Sequence, residues 1–418
     1  MIYKKNNRLA ALMLLATTIN TITAMNLLRQ YDTLIRPDFR FDTTGHISVL
    51  AEHGFNAKGF GECGDFTNVL RLWNEDQDAL KMLEGFDSAS PIGLLATNLR
   101  ADGANDDGVR GHFNVCGNLH YDTVAFAGRW HFLNTWFLTA YLPVNVMHLS
   151  DVTWVNQTQN VSAGDFSVKR KLTNDFFANV KRLGDGLELG SWKRTGVGDL
   201  IVLIEWMENF IQNKPLLKNA QVTWRLGTNF PTGLRQDEDK IFALPFGYDG
   251  ALGVIFGFGL DLSLGDYFKV GGDVQLQHLF GNTRCRRIKT DVLQTELLLL
   301  QKTAVYKDFG LMQRFNLYCQ FCNMKGFDIK FGYQFFKRGD DVLAVSSPNF
   351  SDNIANTAIS LEDFTMHHAI IKANYDFSVL MDKGACVKPA LSLYARLPFN
   401  GKRAALCPAF GGIFALDF

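Results

Sequence analysis

The stretch LGVIFGFGLDLSL, residues 252–264, sets the reading of the whole chain. Leu252, Val254, Phe256, Phe258, Leu260, Leu262 and Leu264 share one parity, and Gly253, Ile255, Gly257, Gly259, Asp261 and Ser263 the other. Successive side chains of a strand point to opposite faces, so this is a strand with one wholly apolar face. Gly265-Asp266 offers a tight turn, after which Phe268, Val270, Val274 and Leu276 alternate with Lys269, Asp273, Gln275 and Gln277. The two runs make a hairpin, apolar on one side and polar on the other.

The same pattern recurs outward from there. Phe315, Leu317 and Phe321 oppose Arg314, Asn316 and Gln320; after a turn at 323–326, Phe327, Ile329, Phe331, Tyr333 and Phe335 oppose Asp328, Lys330, Gly332 and Gln334. Upstream, Val222, Trp224, Leu226 and Phe230 interleave with Thr223, Arg225, Gly227 and Asn229, and Gly111, Phe113, Val115 and Leu119 with Arg110, His112, Asn114, Asn118 and His120. Segments of roughly 10–14 residues match tilted strands that cross a bilayer. The spans 47–55, 110–131, 135–144, 197–208, 220–230, 251–264, 267–280, 307–322, 327–337, 363–377, 387–397 and 408–418 predict an all-β fold, a closed antiparallel transmembrane barrel of about 12 strands. Apolar parity shifts near Asp122, which predicts a bulge or a hidden hairpin, so ten or fourteen strands are the alternatives.

Alternation alone also fits a soluble sandwich. Three features favour the membrane. Lys4, Lys5 and Arg8, then an apolar run from Leu9 to Thr18 and a small residue at Ala24, read as a secretory signal over residues 1–24. Its removal leaves a net charge of about −3. Short turns alternate with loops of roughly 20–50 residues, too many long loops for a compact soluble domain. Finally, Phe410, Gly412, Phe414, Leu416 and Phe418 share one face of the last segment, and this ending resembles the carboxy-terminal insertion signal of bacterial outer-membrane barrels, carried by Phe414, Leu416 and Phe418. The expected division is therefore a signal peptide (1–24), a periplasmic amino-terminal segment (25–46) and the barrel (47–418), located in the bacterial outer membrane. Its expected partners are the lipid bilayer, the outer-membrane barrel assembly machinery and a small-molecule solute. Equal counts of 42 basic and 42 acidic residues argue against nucleic acid. With 35 Phe but a mean hydropathy of −0.03, the chain is no bundle of apolar helices.

Gly196-Val197-Gly198-Asp199-Leu200 and Leu226-Gly227-Thr228-Asn229-Phe230-Pro231-Thr232-Gly233 resemble the G-x-G-D-L and P-T-G segments of barrels related to the meta-pathway phenol-degradation family. The resemblance spans residues 195–418 and implies uptake of aromatic compounds. The long insertions at 56–109 and 145–196 fall outside it. Within them, Asn74 to Gly85 and Phe166 to Leu183 read as short amphipathic helices, placed either in the barrel mouth or outside it.

The polar parity predicts a lumen lined by Arg110, His112, Asn114, His120, Glu205, Arg225, Asp261, Lys269, Asp273, Gln275, Arg314, Asn316, Asp328, Lys330, Lys372, Asp376, Lys388 and Arg396. Neither sign dominates, so the charges are expected to pair along the wall rather than to select ions. Twelve strands lie between a filled barrel and an open porin, which predicts a narrow or plugged conduit. No G-x-S-x-G or H-E-x-x-H occurs, and His367 and His368 point oppositely; no catalytic residue, cofactor or metal is assigned. Seven cysteines cannot all pair within one chain. Cys319 and Cys322 fall on opposite faces, and small apolar fillers with a loop disulfide among Cys63, Cys285 and Cys407 is the reading preferred over zinc. Two functions follow: a passive channel for small solutes, with hydrophobic or aromatic ones implied by the resemblance, or a closed barrel whose external loops bind a partner.

Overall fold

The alternating segments pair antiparallel in chain order and close on themselves. The computed structural model describes residues 32–38, 40, 42–133, 135–212, 214–381 and 386–418, so the expected signal peptide lies outside the described residues. The barrel strands are β1 (Gly45–Gly54), β2 (His112–Leu133), β3 (Trp136–Asn156), β4 (Leu200–Ile211), β5 (Leu217–Phe230), β6 (Gly253–Leu264), β7 (Phe268–Leu279), β8 (Met312–Met324), β9 (Phe327–Arg338), β10 (Phe364–Asp376), β11 (Lys388–Lys402) and β12 (Ala409–Asp417). Each pairs with the next, and β1 pairs with both β2 and β12, which closes a ring of 12 strands. Closure satisfies the backbone groups that hydrocarbon could not.

The outward face is the apolar one. Phe256 and Phe258 of β6 are 43% and 46% exposed, whereas Ile255 between them is 1% exposed. Around the end with the short turns stand Trp130, Phe132, Phe210, Tyr267, Phe321 and Phe418, all exposed, an aromatic girdle of the kind found at a membrane surface. Two turns there need left-handed backbone: Gly265 has φ 64°, and Lys325-Gly326 has φ 51° and 92°. A side chain at Gly326 would also meet the Asp376 carbonyl at 2.7 Å. Phe258 lies opposite Trp224 on one side and Val274 on the other, in the middle of the apolar belt. Phe258→Arg is therefore expected to lower stability by about 2–4 kcal/mol, the cost of a cation near the bilayer midplane. Urea unfolding in lipid vesicles measures this, and Phe258→Leu serves as the control.

β2 and β3 run 22 and 21 residues, about twice what the bilayer requires. This explains the parity shift near Asp122, where there is neither a hidden hairpin nor a bulge. Register slips only at Cys116/Asn118 and His131/Leu133. What changes is the surroundings: Val124, Phe126 and Trp130 face outward in the apolar belt, and farther along the same outward face come Asn114, Asn118 and His120. The inward face changes in the opposite sense, from Thr123 and Arg129 to the buried Phe113, Val115 and Leu119.

Those inward apolar residues are covered by the long loops, which build a cap over the loop end of the barrel. Helix α1 (Pro91–Ala101), helix α2 (Ala163–Val168), the π-helical turn Lys169–Thr173 and helix α3 (Phe176–Leu183) contribute to it. Phe176 stacks on Phe113 at 4.1 Å, and Leu70, Met82, Leu99, Leu172, Val180 and Leu298 fill the same core. The second expected helix, 166–183, is thus helical. The first, 74–85, is not: only Lys81–Leu83 forms a 3-10 turn, and the helix of that loop starts later, where Ser90 caps it and Pro91 occupies its first turn.

Candidate functional site: the barrel lumen

Fourteen of the residues assigned to the lumen occupy inward positions of their strands: Glu205, Arg225, Asp261, Lys269, Asp273, Gln275, Arg314, Asn316, Asp328, Lys330, Lys372, Asp376, Lys388 and Arg396. Four do not. Arg110 precedes β2 and binds Asp165 in the cap at 2.7 Å, while His112, Asn114 and His120 lie on the outer face of the β2 extension. Reading polar as inward fails there because water, not lipid, surrounds that part of the wall.

The sequence places residues 25–46 outside the barrel, in the periplasm. Residues 32–38 instead run up its interior, entering at the end with the short turns. Charge decides this. Asp32, Arg36, Asp38, Arg40 and Asp42 alternate in sign, and each meets an inward wall residue of opposite sign. Lys388 pairs with Asp42, and Arg40 pairs with Asp376 and, at 3.4 Å, with Asp417. Deeper inside, Lys330 donates to Asp38 at 2.9 Å and Arg36 to Glu205 at 2.7 Å. Arg396 reaches Asp32 at 3.9 Å, and Gln334 donates to the same carboxylate at 2.9 Å. The Lys372 ammonium donates to the Arg36 carbonyl at 3.0 Å, and Thr33 donates to Asp273 at 2.9 Å. Leu34 and Ile35, both 1% exposed, pack against Ile370, Tyr394 and Ile413.

Some wall charges do pair with one another: Arg225 with Asp273, and Lys269 with Asp261 at 3.1 Å. Glu52, missed by the sequence reading, accepts from Tyr121 and Tyr394, each at 2.7 Å, and pairs with Arg396 at 3.1 Å. Its parity with Ser48 and Leu50 on β1 was the available signal.

Cavities flank the insert. One of about 170 Å³ is lined by polar residues including Gln221, Asp261, Lys269 and Asp273; another of about 30 Å³ has Leu50, Ala125, Ala127, Tyr141 and Ile413 among its walls. Arg36 and Pro37 line both, so the segment lies between them. Gly257 and Gly259 keep this part of the wall thin; a side chain at Gly257 would run into Arg225.

The Gly-Val-Gly-Asp and Pro-Thr-Gly motifs meet at the upper wall. The ladder between β3 and β4 ends at Tyr141 opposite Ile201, and a separate short strand, Trp192–Val197, continues on β3 with Val144 opposite Val197, one residue out of step. Gly198 donates to the Pro143 carbonyl at 2.8 Å across this break. Asp199, 1% exposed, accepts from the Gly233 and Tyr248 amides at 2.8 and 2.7 Å. The motif residues therefore brace a bulge in the wall. All seven cysteines are free, so the loop disulfide expected among Cys63, Cys285 and Cys407 does not form.

No protein-family model matches the sequence, and no curated protein does. Among solved structures, the COG4313 outer membrane channel from Pseudomonas putida F1 is similar at 12% identity, covering 93% of this chain and 100% of that one, with a TM-score of 0.49. The P. putida toluene transporter TodX is similar at 8% identity, covering 90% of each chain, TM-score 0.30. The NanC porin is similar at 10% identity, covering 71% of this chain and 93% of that one, TM-score 0.31.

Proposed function

We propose that this chain is an outer-membrane channel for passive uptake of small hydrophobic or aromatic solutes. The observation that carries the reading is how the lumen is closed. Below the cap, the lumen is obstructed by residues 32–38, held together with Arg40 and Asp42 by hydrogen bonds and ion pairs and flanked by cavities. Such a segment can move without breaking the barrel's ladder. The apolar belt and aromatic girdle support a membrane setting, and short turns at the periplasmic end, as is usual for such barrels, would put the cap outside and the insert's entry on the periplasmic side. No catalytic residues are assigned, and the aromatic preference rests on the sequence resemblance.

Uptake of a monoaromatic hydrocarbon by cells with and without the protein tests this. Faster entry with the protein, and no gain for a sugar of similar size, is the expected result; equal rates in both strains would refute it. The packed apolar core of the cap favours a second reading, a closed barrel whose surface binds a partner, and that reading requires equal uptake.

A further inference from the structure

We propose that Asp78, Asp106 and His112 form a binding site for a first-row divalent transition-metal ion such as Zn2+, with Asp76 orienting the imidazole. The site lies in the cap, away from the lumen. Asp76 precedes and Asp78 ends the short strand Gln77–Asp78, which pairs with the start of β2, where His112 stands. Asp106 comes from the connection between α1 and β2.

The geometry is that of a metal centre with its supporting carboxylate. Nδ1 of His112 is hydrogen-bonded to Asp76 Oδ2, which leaves Nε2 aimed at the other two carboxylates. Nε2 lies 3.2 Å from Asp106 Oδ1 and 3.5 Å from Asp78 Oδ2. A tetrahedral ion with bonds of about 2.0–2.2 Å spaces its ligand atoms about 3.3–3.6 Å apart, close to both separations from Nε2. All three ligand atoms lie within 4.8 Å of one another. A carboxylate on the far nitrogen of a metal-bound histidine is the usual supporting group.

The buried carboxylate points to a ligand independently. Asp78 is 4% exposed, and its Oδ1 accepts from the Leu80 and Lys81 amides at 2.7 and 3.0 Å. Its Oδ2 receives no hydrogen bond among the described residues; its sole partner is the imidazole at 3.5 Å. Three carboxylates share one imidazole, and Lys81 is 3.8 Å from Asp106. A divalent ion would supply the missing charge and tie the first loop, the 105–107 turn and β2 together. The imidazole ligand favours Zn2+ over Ca2+ or Mg2+.

Calorimetric titration of the full, untagged barrel in detergent tests the site with Zn2+, Mn2+ and Ca2+ in turn. One Zn2+ per chain is expected, with affinity at least about tenfold lower in Asp106→Asn and in His112→Gln. Asp106 is exposed, so its variant keeps the fold. His120 and His148 face each other across β2 and β3 and form the competing site; His148→Gln is expected to leave binding unchanged. Absence of Zn2+ binding, unchanged binding in Asp106→Asn and His112→Gln, or loss in His148→Gln would each overturn the proposal. Hydrogen exchange over residues 76–112, slowed by Zn2+ in the wild type alone, is the second readout.

Discussion

A chain shortened to begin at Thr43 is expected to conduct several-fold more current through a planar bilayer than the intact protein, in longer and steadier openings. The barrel should survive the deletion, because its closing pairs β1–β2 and β1–β12 start at Gly45 and His46 and owe nothing to the insert. What the deletion removes is the chain between the two lumen cavities, together with Leu34 and Ile35, which pack against the wall. It also leaves Glu205, Lys330, Lys372 and Arg396 facing water, so the new conduit should be wet and weakly selective, with neither sign prevailing. Single-channel recording of both proteins decides the matter. Equal conductance would show that the cap, not the insert, closes the path. Shortening the cap is the less informative change, because Phe176 and Leu172 cover the inward face of β2 and β3.

The second large effect is expected at Glu205. Its side chain is fully buried; it accepts from Thr139 at 2.7 Å and pairs with Arg36 at 2.7 Å. Removing one partner of a buried pair costs about 3–5 kcal/mol, because the other charge stays out of water without it. Glu205→Ala should therefore release the insert before the barrel. Hydrogen exchange at residues 32–38 should accelerate more than about a hundredfold, since each 1.4 kcal/mol is a factor of ten. Urea unfolding of the barrel itself should shift less. The pair Arg36→Met with Glu205→Leu should restore much of the protection, because apolar residues of similar volume often replace a buried ion pair without loss. If exchange over 32–38 stays slow in Glu205→Ala, the insert is held by Leu34 and Ile35 and not by charge.

Much of this molecule could be read from parity alone. Residues 252–264 announced β6, and the same alternation found each of the 12 strands and the outward direction of Phe410, Phe414 and Phe418. That works because a strand in a barrel wall has two solvents, lipid outside and a polar interior, and the side-chain period of two records both. Where the solvents changed, the same rule misplaced residues. His112, Asn114 and His120 stand above the belt, where the outer face is wet and the inner face carries the cap's core, so polarity points the other way.

Sequence by itself also contained the alternating charges Asp32, Arg36, Asp38, Arg40 and Asp42, yet nothing local said what they would meet. Only the closed barrel brings Lys330, Glu205 and Arg396, from three distant strands, around one path through the interior. A strand's period is a local property of the backbone and is written into neighbouring residues. The partners of a buried charge are set by ring closure, which joins residues hundreds of positions apart. For that reason the wall was legible in the sequence, and the segment that obstructs it, like the meeting of Asp78, Asp106 and His112, was decided by the tertiary structure.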